Sequence, residues 1–438
     1  MSHQQLGVAL FVAMLVLIIL RMPIAISMLV CGAAGFAMIA GVQPLLGLLA
    51  ELPYSRVANH ELTVIPLFIL MGQFAAEGGI SQALYRAARA WVGHLRGGIA
   101  MATVGGCAAF GSICGSSVAT GATMATVALP EMRRYGYSGA LATGVLAAGG
   151  TLGILIPPSI ILVIYAILTE SSIAHLFLAA MIPGLLATLG YAIAVSLYVR
   201  VYPESGPAAE RATWAERKAS LGTIWPVVLI FSTVIGGIYL GVFTPTEGAA
   251  IGAASTGILA MLAGGMRGAG IKRAVLDTAR ISGMIFLILI GAELYSSFLA
   301  LSQLPQALSE WIGALGWTPF HILIAIIVLY LFLGCVMDSL AMILLTVPVF
   351  LPVILKLDFG MPPEAVTIWF GIVVLSVVEV GMITPPIGIN VFVINSMAKD
   401  VPMTESFRGV LPFFLSDLVR IVLIASFPAL SLWLTGIK

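Results

Sequence analysis

The chain has 438 residues, of which 60 % are hydrophobic and only 9 % charged, with a net charge of +1. That much charge cannot cover a water-soluble surface of this size, so the chain is an integral membrane protein, and its charge balance argues against nucleic acid as a partner. Cys31, Cys107, Cys114 and Cys335 lie in apolar runs without CxxC or Cys/His spacing, which excludes a disulfide framework and a transition-metal site.

Apolar runs of the roughly 20 residues a membrane helix needs recur along the chain, without the period-two alternation of a β-barrel. The fold class expected is an all-α polytopic membrane protein. The first runs lie near 5–20, 23–42 and 61–77. No basic residue precedes the first, so it reads as a retained helix rather than a signal peptide. A basic amphipathic segment with Arg86, Arg89 and Arg96 follows, then an apolar stretch, 99–132, closed by Arg133 and Arg134. Cytoplasmic loops collect Lys and Arg, so a single crossing would leave one basic flank on the wrong side. A re-entrant hairpin returns both flanks to the cytoplasm; one long tilted helix is the competing reading. Its arms would be about 15 residues or roughly 22 Å, short of a core of roughly 30 Å. The stretch G-S-I-C-G-S-S (111–117) falls at the tip.

Further runs lie near 138–168, 173–199, 223–241, 247–264 and 281–300, with a polar linker at 203–220. The run 138–168 would be about 46 Å long if fully helical, which fits an interruption near Pro157. Segment 302–318 is amphipathic without Lys or Arg, and runs near 319–356, 363–398 and 409–434 complete the chain. This threading makes 16 of the 20 basic residues cytoplasmic. Arg56, Lys356 and Lys438 fall outside, and both termini are expected to be periplasmic. Arg420 lies within the last span, three residues from Asp417, where a helical ion pair is expected.

The halves resemble each other. G-S-I-C-G-S (111–116) matches G-C-V-M-D-S (334–339), L-P-E-M-R-R (129–134) matches L-P-V-I-L-K (351–356), and G-I-L-I-P-P-S (153–159) matches G-M-I-T-P-P-I (381–387). The amphipathic arm is basic in the first unit and uncharged in the second, so the units are expected to be inverted, as in secondary transporters. The domain division is then 1–60 scaffold, 61–200 first repeat, 201–280 connector and 281–438 second repeat. Each repeat has a hairpin (about 99–132 and 319–356) and a broken helix (about 138–168 and 363–398).

Four stretches break helix at membrane depth: the tips (111–117, 334–339) and the Gly/Pro-rich breaks (149–159, 381–390). Prolines remove donors and free carbonyls one turn earlier, and bare polar backbone is tolerated only beside a cavity, ion or ligand. Hydroxyl, carboxylate and carbonyl oxygens suit a hard cation. The candidate Na+ donors are Ser112, Ser116, Ser117, Thr151 and carbonyls near Gly149 and Gly153, then Asp338, Ser339, Thr384 and carbonyls near Gly334 and Gly381. Helix N-termini suit an anion, and Asn390 serves ion or substrate. Serines and glycines also serve close packing alone. Asp338 is functional by default at this depth; Glu379 and Glu293 are open between function and structural pairing. Asp338 and Glu379 lack a partner base, so an enzyme is not expected.

These stretches resemble the large membrane subunit of TRAP (tripartite ATP-independent periplasmic) transporters. The resemblance rests on A-F-G-S-I-C-G-S-S-V-A-T, L-P-E-M-R-R-Y-G-Y, G-G-T-L-G-I-L-I-P-P-S, F-T-P-T-E-G-A-A, G-C-V-M-D-S-L-A-M-I-L-L-T-V-P-V-F-L-P and G-M-I-T-P-P-I-G-I-N-V-F-V. It implies the ion transporter superfamily, an elevator mechanism, a Na+ gradient as driver and no other cofactor. It also implies a bacterial inner membrane, a small four-helix membrane subunit, and a periplasmic binding protein delivering an organic acid such as a C4-dicarboxylate, sugar acid or keto acid. The chain is expected to be the large subunit alone. Each hairpin and break would hold one Na+. Substrate would sit between the tips, near Gly115, Ser116, Pro157, Pro158, Pro385, Pro386 and Asn390. A self-sufficient carboxylate carrier of the same superfamily is the rival reading.

Overall fold

The computed structural model describes residues 2–314 and 316–437, so Lys438 lies outside the described residues. Among these there are helices and no strands. The chain opens with α1 (His3–Ile19), α2 (Ile24–Ala40) and α3 (Val42–Val57). Then come α4 (Val64–Glu77), α5 (Ile80–Val92), α6 (Gly98–Cys114), α7 (Ser117–Arg134), α8 (Gly139–Leu155), α9 (Ile160–Leu168) and α10 (Ile173–Val201). After α11 (Trp214–Tyr239) and α12 (Pro245–Leu262) the pattern returns as α13 (Gly268–Ser302), α14 (Leu304–Ala314), α15 (Pro319–Gly334), α16 (Ser339–Leu355), α17 (Pro363–Gly381), α18 (Ile389–Met397) and α19 (Met403–Ser426). A short α20 (Ala429–Leu432) follows. The runs α4–α10 and α13–α19 match element for element: span, amphipathic helix, helical pair joined at a tip, broken helix, closing span.

Five helices (α10, α11, α13, α17 and α19) are long and apolar enough to cross a membrane alone. The paired helices α6, α15 and α16 have 17, 16 and 17 residues, roughly 25 Å each. They fall short of a hydrocarbon core of roughly 30 Å. Helices α8 and α9 pass as a span only together, bent by 43° at their break.

Outside the tips and breaks, the structure departs from the sequence reading in four places, each with a local cause. Residues 42–57 form α3, which the sequence reading left without an element; Leu45 and Leu52 pack it onto Leu294 of α13. The span expected at 281–300 is the end of a 35-residue helix. No proline interrupts 268–302, and a stripe of small residues, Gly270, Ala274 and Thr278, is buried while Lys272 and Arg273 are exposed. The polar linker 203–220 ends early: Thr213 and Glu216 cap each other's backbone N–H groups and start α11 at Trp214. The run 409–434 starts at Met403 and divides into α19 and α20 around Pro428.

Candidate substrate and ion site

The first tip is short because its residues suit a tight reversal. Helix α6 ends on Gly115 at φ +64°, a left-handed conformation that glycine adopts without strain. Ser116 follows in extended conformation and caps α7, its Oγ accepting from Ala119 N at 3.5 Å. Behind the tip, a Cβ at Gly111 would lie 2.6 Å from the Gly153 Cα, so only glycine lets α6 and α8 approach this closely. A Cβ on Gly153 would lie 2.8 Å from the Ser116 carbonyl oxygen. The first break therefore sits directly against the first tip.

Sequence reasoning placed Gly149 and Gly153 in the break itself, yet α8 continues to Leu155. The helix is lost only at Ile156, whose ψ of 123° is the extended conformation a following proline imposes. Pro157 and Pro158 have no N–H to give the carbonyls of Gly153 and Ile154, which are left without helical partners. Ser159 restarts the chain as the cap of α9. Gly149 stays inside the ladder, where its missing side chain makes room for Cys107.

The second repeat reproduces this contact. A Cβ on Gly334 would lie 2.9 Å from the Gly381 Cα, as Gly111 meets Gly153 in the first. Its tip is longer, running from Cys335 to Asp338, and Asp338 caps α16 with its carboxylate accepting from Ala341 N at 3.5 Å. The sequence match paired Asp338 with Gly115; by structural role it pairs with Ser116, because both are N-caps. Ser339 is buried at the start of α16. The second break spans Met382–Gly388, with the Thr384 hydroxyl donating to Val380 O at 2.6 Å. Pro385 and Pro386 are exposed, whereas Pro157 and Pro158 are buried.

Asn390 joins the repeats. Its Nδ2 donates to Ser117 Oγ at 2.5 Å and to Ala147 O at 3.2 Å, linking α18 to α7 and α8. Its Oδ1 is buried without a partner, as is the nearby Thr120 Oγ1, 2.4 Å from where a Gly153 Cβ would sit. Buried acceptors are almost always satisfied, so each of these oxygens has bonding capacity left for a further group. Sequence reasoning did not select Thr120. Its one signal is the position four residues after Ser116, one helical turn away on the same face.

Other expected residues make bonds of their own. Ser112 Oγ donates to Ala109 O at 2.8 Å within α6. Glu293 pairs with Arg56 at 2.5 Å between α13 and α3, away from the tips. Thr151 turns to the back of α8, where its single hydroxyl hydrogen is shared between Ala148 O at 2.7 Å and Tyr191 Oη at 3.0 Å, Tyr191 giving its own hydrogen to Asp417. Tyr191 Oη donates to Asp417 Oδ2 at 2.7 Å. Arg420 Nη2 lies 3.0 Å from Asp417 Oδ1, the expected ion pair, and also 3.2 Å from Glu379 Oε2, which gives Glu379 a structural partner.

This architecture has known counterparts. A family model described as "Tripartite ATP-independent periplasmic transporter, DctM component" matches residues 11–430. The C4-dicarboxylate TRAP transporter large permease protein DctM of Pseudomonas aeruginosa is 36 % identical over 85 % of this chain and 86 % of its own. The ectoine/5-hydroxyectoine TRAP transporter large permease protein UehC of Ruegeria pomeroyi is 32 % identical over 98 % of both chains. The sialic acid TRAP transporter large permease protein SiaM of Vibrio cholerae is 30 % identical over 86 % of this chain and 87 % of its own. In fold, the chain is similar to the crystal structure of the Alcanivorax borkumensis YdaH transporter, with a TM-score of 0.64, 16 % identity and 98 % of each chain covered. The paired tips and breaks thus belong to a transporter and not to an enzyme: the chain is a member of the tripartite ATP-independent periplasmic transporter family, as its large permease component.

Proposed function

We propose that this multi-pass inner-membrane protein imports an organic acid, driven by Na+, together with a small four-helix membrane subunit and a periplasmic binding protein that delivers the substrate. The observation that carries this reading is the junction at Asn390. There a half-helix of the second repeat is bonded to the start of α7 at the first tip and to the middle of α8, with two unpartnered buried oxygens and a proline-freed carbonyl in the same region of the first repeat's contact with it. Oxygen donors of this kind, without nitrogen or sulfur, suit a hard monovalent cation. One Na+ fits among Gly153 O, Thr120 Oγ1, Asn390 Oδ1 and the Ser116 region; Asp338, Gly334, Gly381 and Thr384 supply the donors of a second.

The substrate's acid group is assigned to the second break. Helix α18 begins at Gly388 without any side-chain cap; Asn390 N donates to Met382 O at 3.1 Å, and the other first-turn N–H groups and the helix dipole are left to meet an anion. No Lys or Arg lies in either tip or break, so recognition rests on these dipoles and on hydroxyls. The relatives are named for C4-dicarboxylates, ectoines and sialic acid, all of which carry a carboxylate.

The test is uptake into proteoliposomes holding this chain and its small subunit, with binding protein loaded with radiolabelled acid, with and without an inward Na+ gradient. Uptake that needs both Na+ and the binding protein is expected. Uptake of free acid without the binding protein would replace this reading with a self-sufficient carrier.

A further inference from the structure

Behind the two breaks, on the side away from the tips, runs one buried chain of polar side chains. It starts at Thr151 in α8, passes through Tyr191 in α10 and Asp417 and Arg420 in α19, and ends at Glu379 in α17. All five side chains are buried, with Thr151, Tyr191, Asp417 and Glu379 at 0 % exposure and Arg420 at 3 %. Its two ends hold equivalent places. Thr151 lies two residues before Gly153, which meets the first hairpin, and Glu379 lies two before Gly381, which meets the second. Tyr191 and Arg420 follow Pro183 and Pro412 by the same spacing in the closing helices α10 and α19. Each repeat thus ties its broken helix to its closing helix at one position, by hydroxyls in the first and by an ion pair in the second. Asp417 joins the two ties, accepting from Tyr191 and pairing with Arg420.

We propose that Arg420, Asp417 and Tyr191 are positioning residues: they brace the last turns of α8 and α17 to each other, so that the two breaks hold one spacing and respond to ions as a unit. Charged groups this deeply buried are costly unless paired; Arg420 Nη2 reaches both carboxylates, while Arg420 Nε and Nη1 and Glu379 Oε1 have no hydrogen-bond partner, so the chain is held through that one nitrogen. It is a contiguous link that both sites can bias. Packing alone does not require it, since Gly153 and Gly381 already seat their hairpins without any polar group.

The proposal rests on the importer reading only for its Na+ readout, so the experiment has two arms. Tyr191→Phe removes one hydroxyl and no charge, and Glu379→Gln acts from the other end. Hydrogen exchange is measured on the purified full chain in both variants. Tyr191→Phe is expected to speed exchange by roughly tenfold at residues 148–156 and also at 378–384, in the other repeat. Loosening confined to the neighbourhood of Tyr191, or none, would overturn the brace whatever drives transport. Glu379→Gln is expected to give the reciprocal result; should it not fold, Tyr191→Phe carries the test alone.

In the second arm, uptake is titrated with Na+. Tyr191→Phe is expected to raise half-saturating Na+ by about fivefold, with Thr151→Val adding nothing on top because both cut the same link. An unchanged Na+ response in a Na+-dependent wild type would overturn the proposal. A wild type indifferent to Na+ would instead refute the importer reading, and the exchange arm would then decide the brace.

Discussion

At single residues, the strongest constraint is the absence of a side chain. Gly111 and Gly153 bring two helix backbones together in the first repeat, and Gly334 and Gly381 do so in the second. A methyl group at Gly111 would meet backbone, which cannot rotate away, so overpacking of about 1–3 kcal/mol is expected for Gly111→Ala. Gly47→Ala is the control, because nothing lies within 4 Å of its Cβ position. Thermal unfolding of the two purified variants checks this: equal midpoints would mean that the close approach is not specific. Asn390 is constrained by polarity. It spends both amide hydrogens on the first repeat and leaves its oxygen unpartnered. Asn390→Ala removes a cross-repeat bond and a candidate ion donor together, so a loss of about 10–100-fold in Na+ affinity is expected in a protein that still inserts. A Na+ titration of uptake measures it, and a wild-type curve would remove Asn390 from the site.

At the scale of elements, the tips and breaks were legible because small, polar and proline residues in an apolar run are local signals. The ends of α6, α15 and α17 at Cys114, Gly334 and Gly381 fall within the stretches 111–117, 334–339 and 381–390 that the sequence marks as breaks in helix. The first break was drawn too long, because a proline strips hydrogen bonds one turn back while bending the chain only at the residue before it. The brace behind the breaks was mostly hidden, since it is assembled from four helices; only Asp417 and Arg420, one turn apart on α19, could be read together. Likewise the sequence match alone could not show that Asp338 does the capping work of Ser116. That role separates two functions of its carboxylate. Asparagine caps a helix about as well as aspartate, so Asp338→Asn is expected to keep the unfolding temperature. It removes the charge that would face a cation, so half-saturating Na+ is expected to rise by about tenfold. A variant that loses stability with an unaltered Na+ response would make Asp338 a cap and nothing more.

Over the whole molecule, the matching order of α4–α10 and α13–α19 shows a duplicated plan, and its orientation rests on charge. Arg86, Arg89, Arg96, Arg133 and Arg134 flank the first hairpin, while 302–318 carries no Lys or Arg. Retention of basic residues in the cytoplasm would put equivalent loops on opposite faces of the membrane. Leu95, between α5 and α6, and Trp317, between α14 and α15, are such a pair, 43 % and 54 % exposed. Cys31, Cys107 and Cys114 are buried, so a background with only Cys335 replaced by serine should label weakly. In spheroplasts, a membrane-impermeant maleimide is expected to modify Trp317→Cys, and Ser2→Cys at the N-terminus, while Leu95→Cys reacts only after lysis. Labelling of Leu95→Cys and Trp317→Cys from the same side would show that the repeats are parallel. The two tips would then approach the membrane midplane from one face, and a site reached alternately from each side would need a different construction.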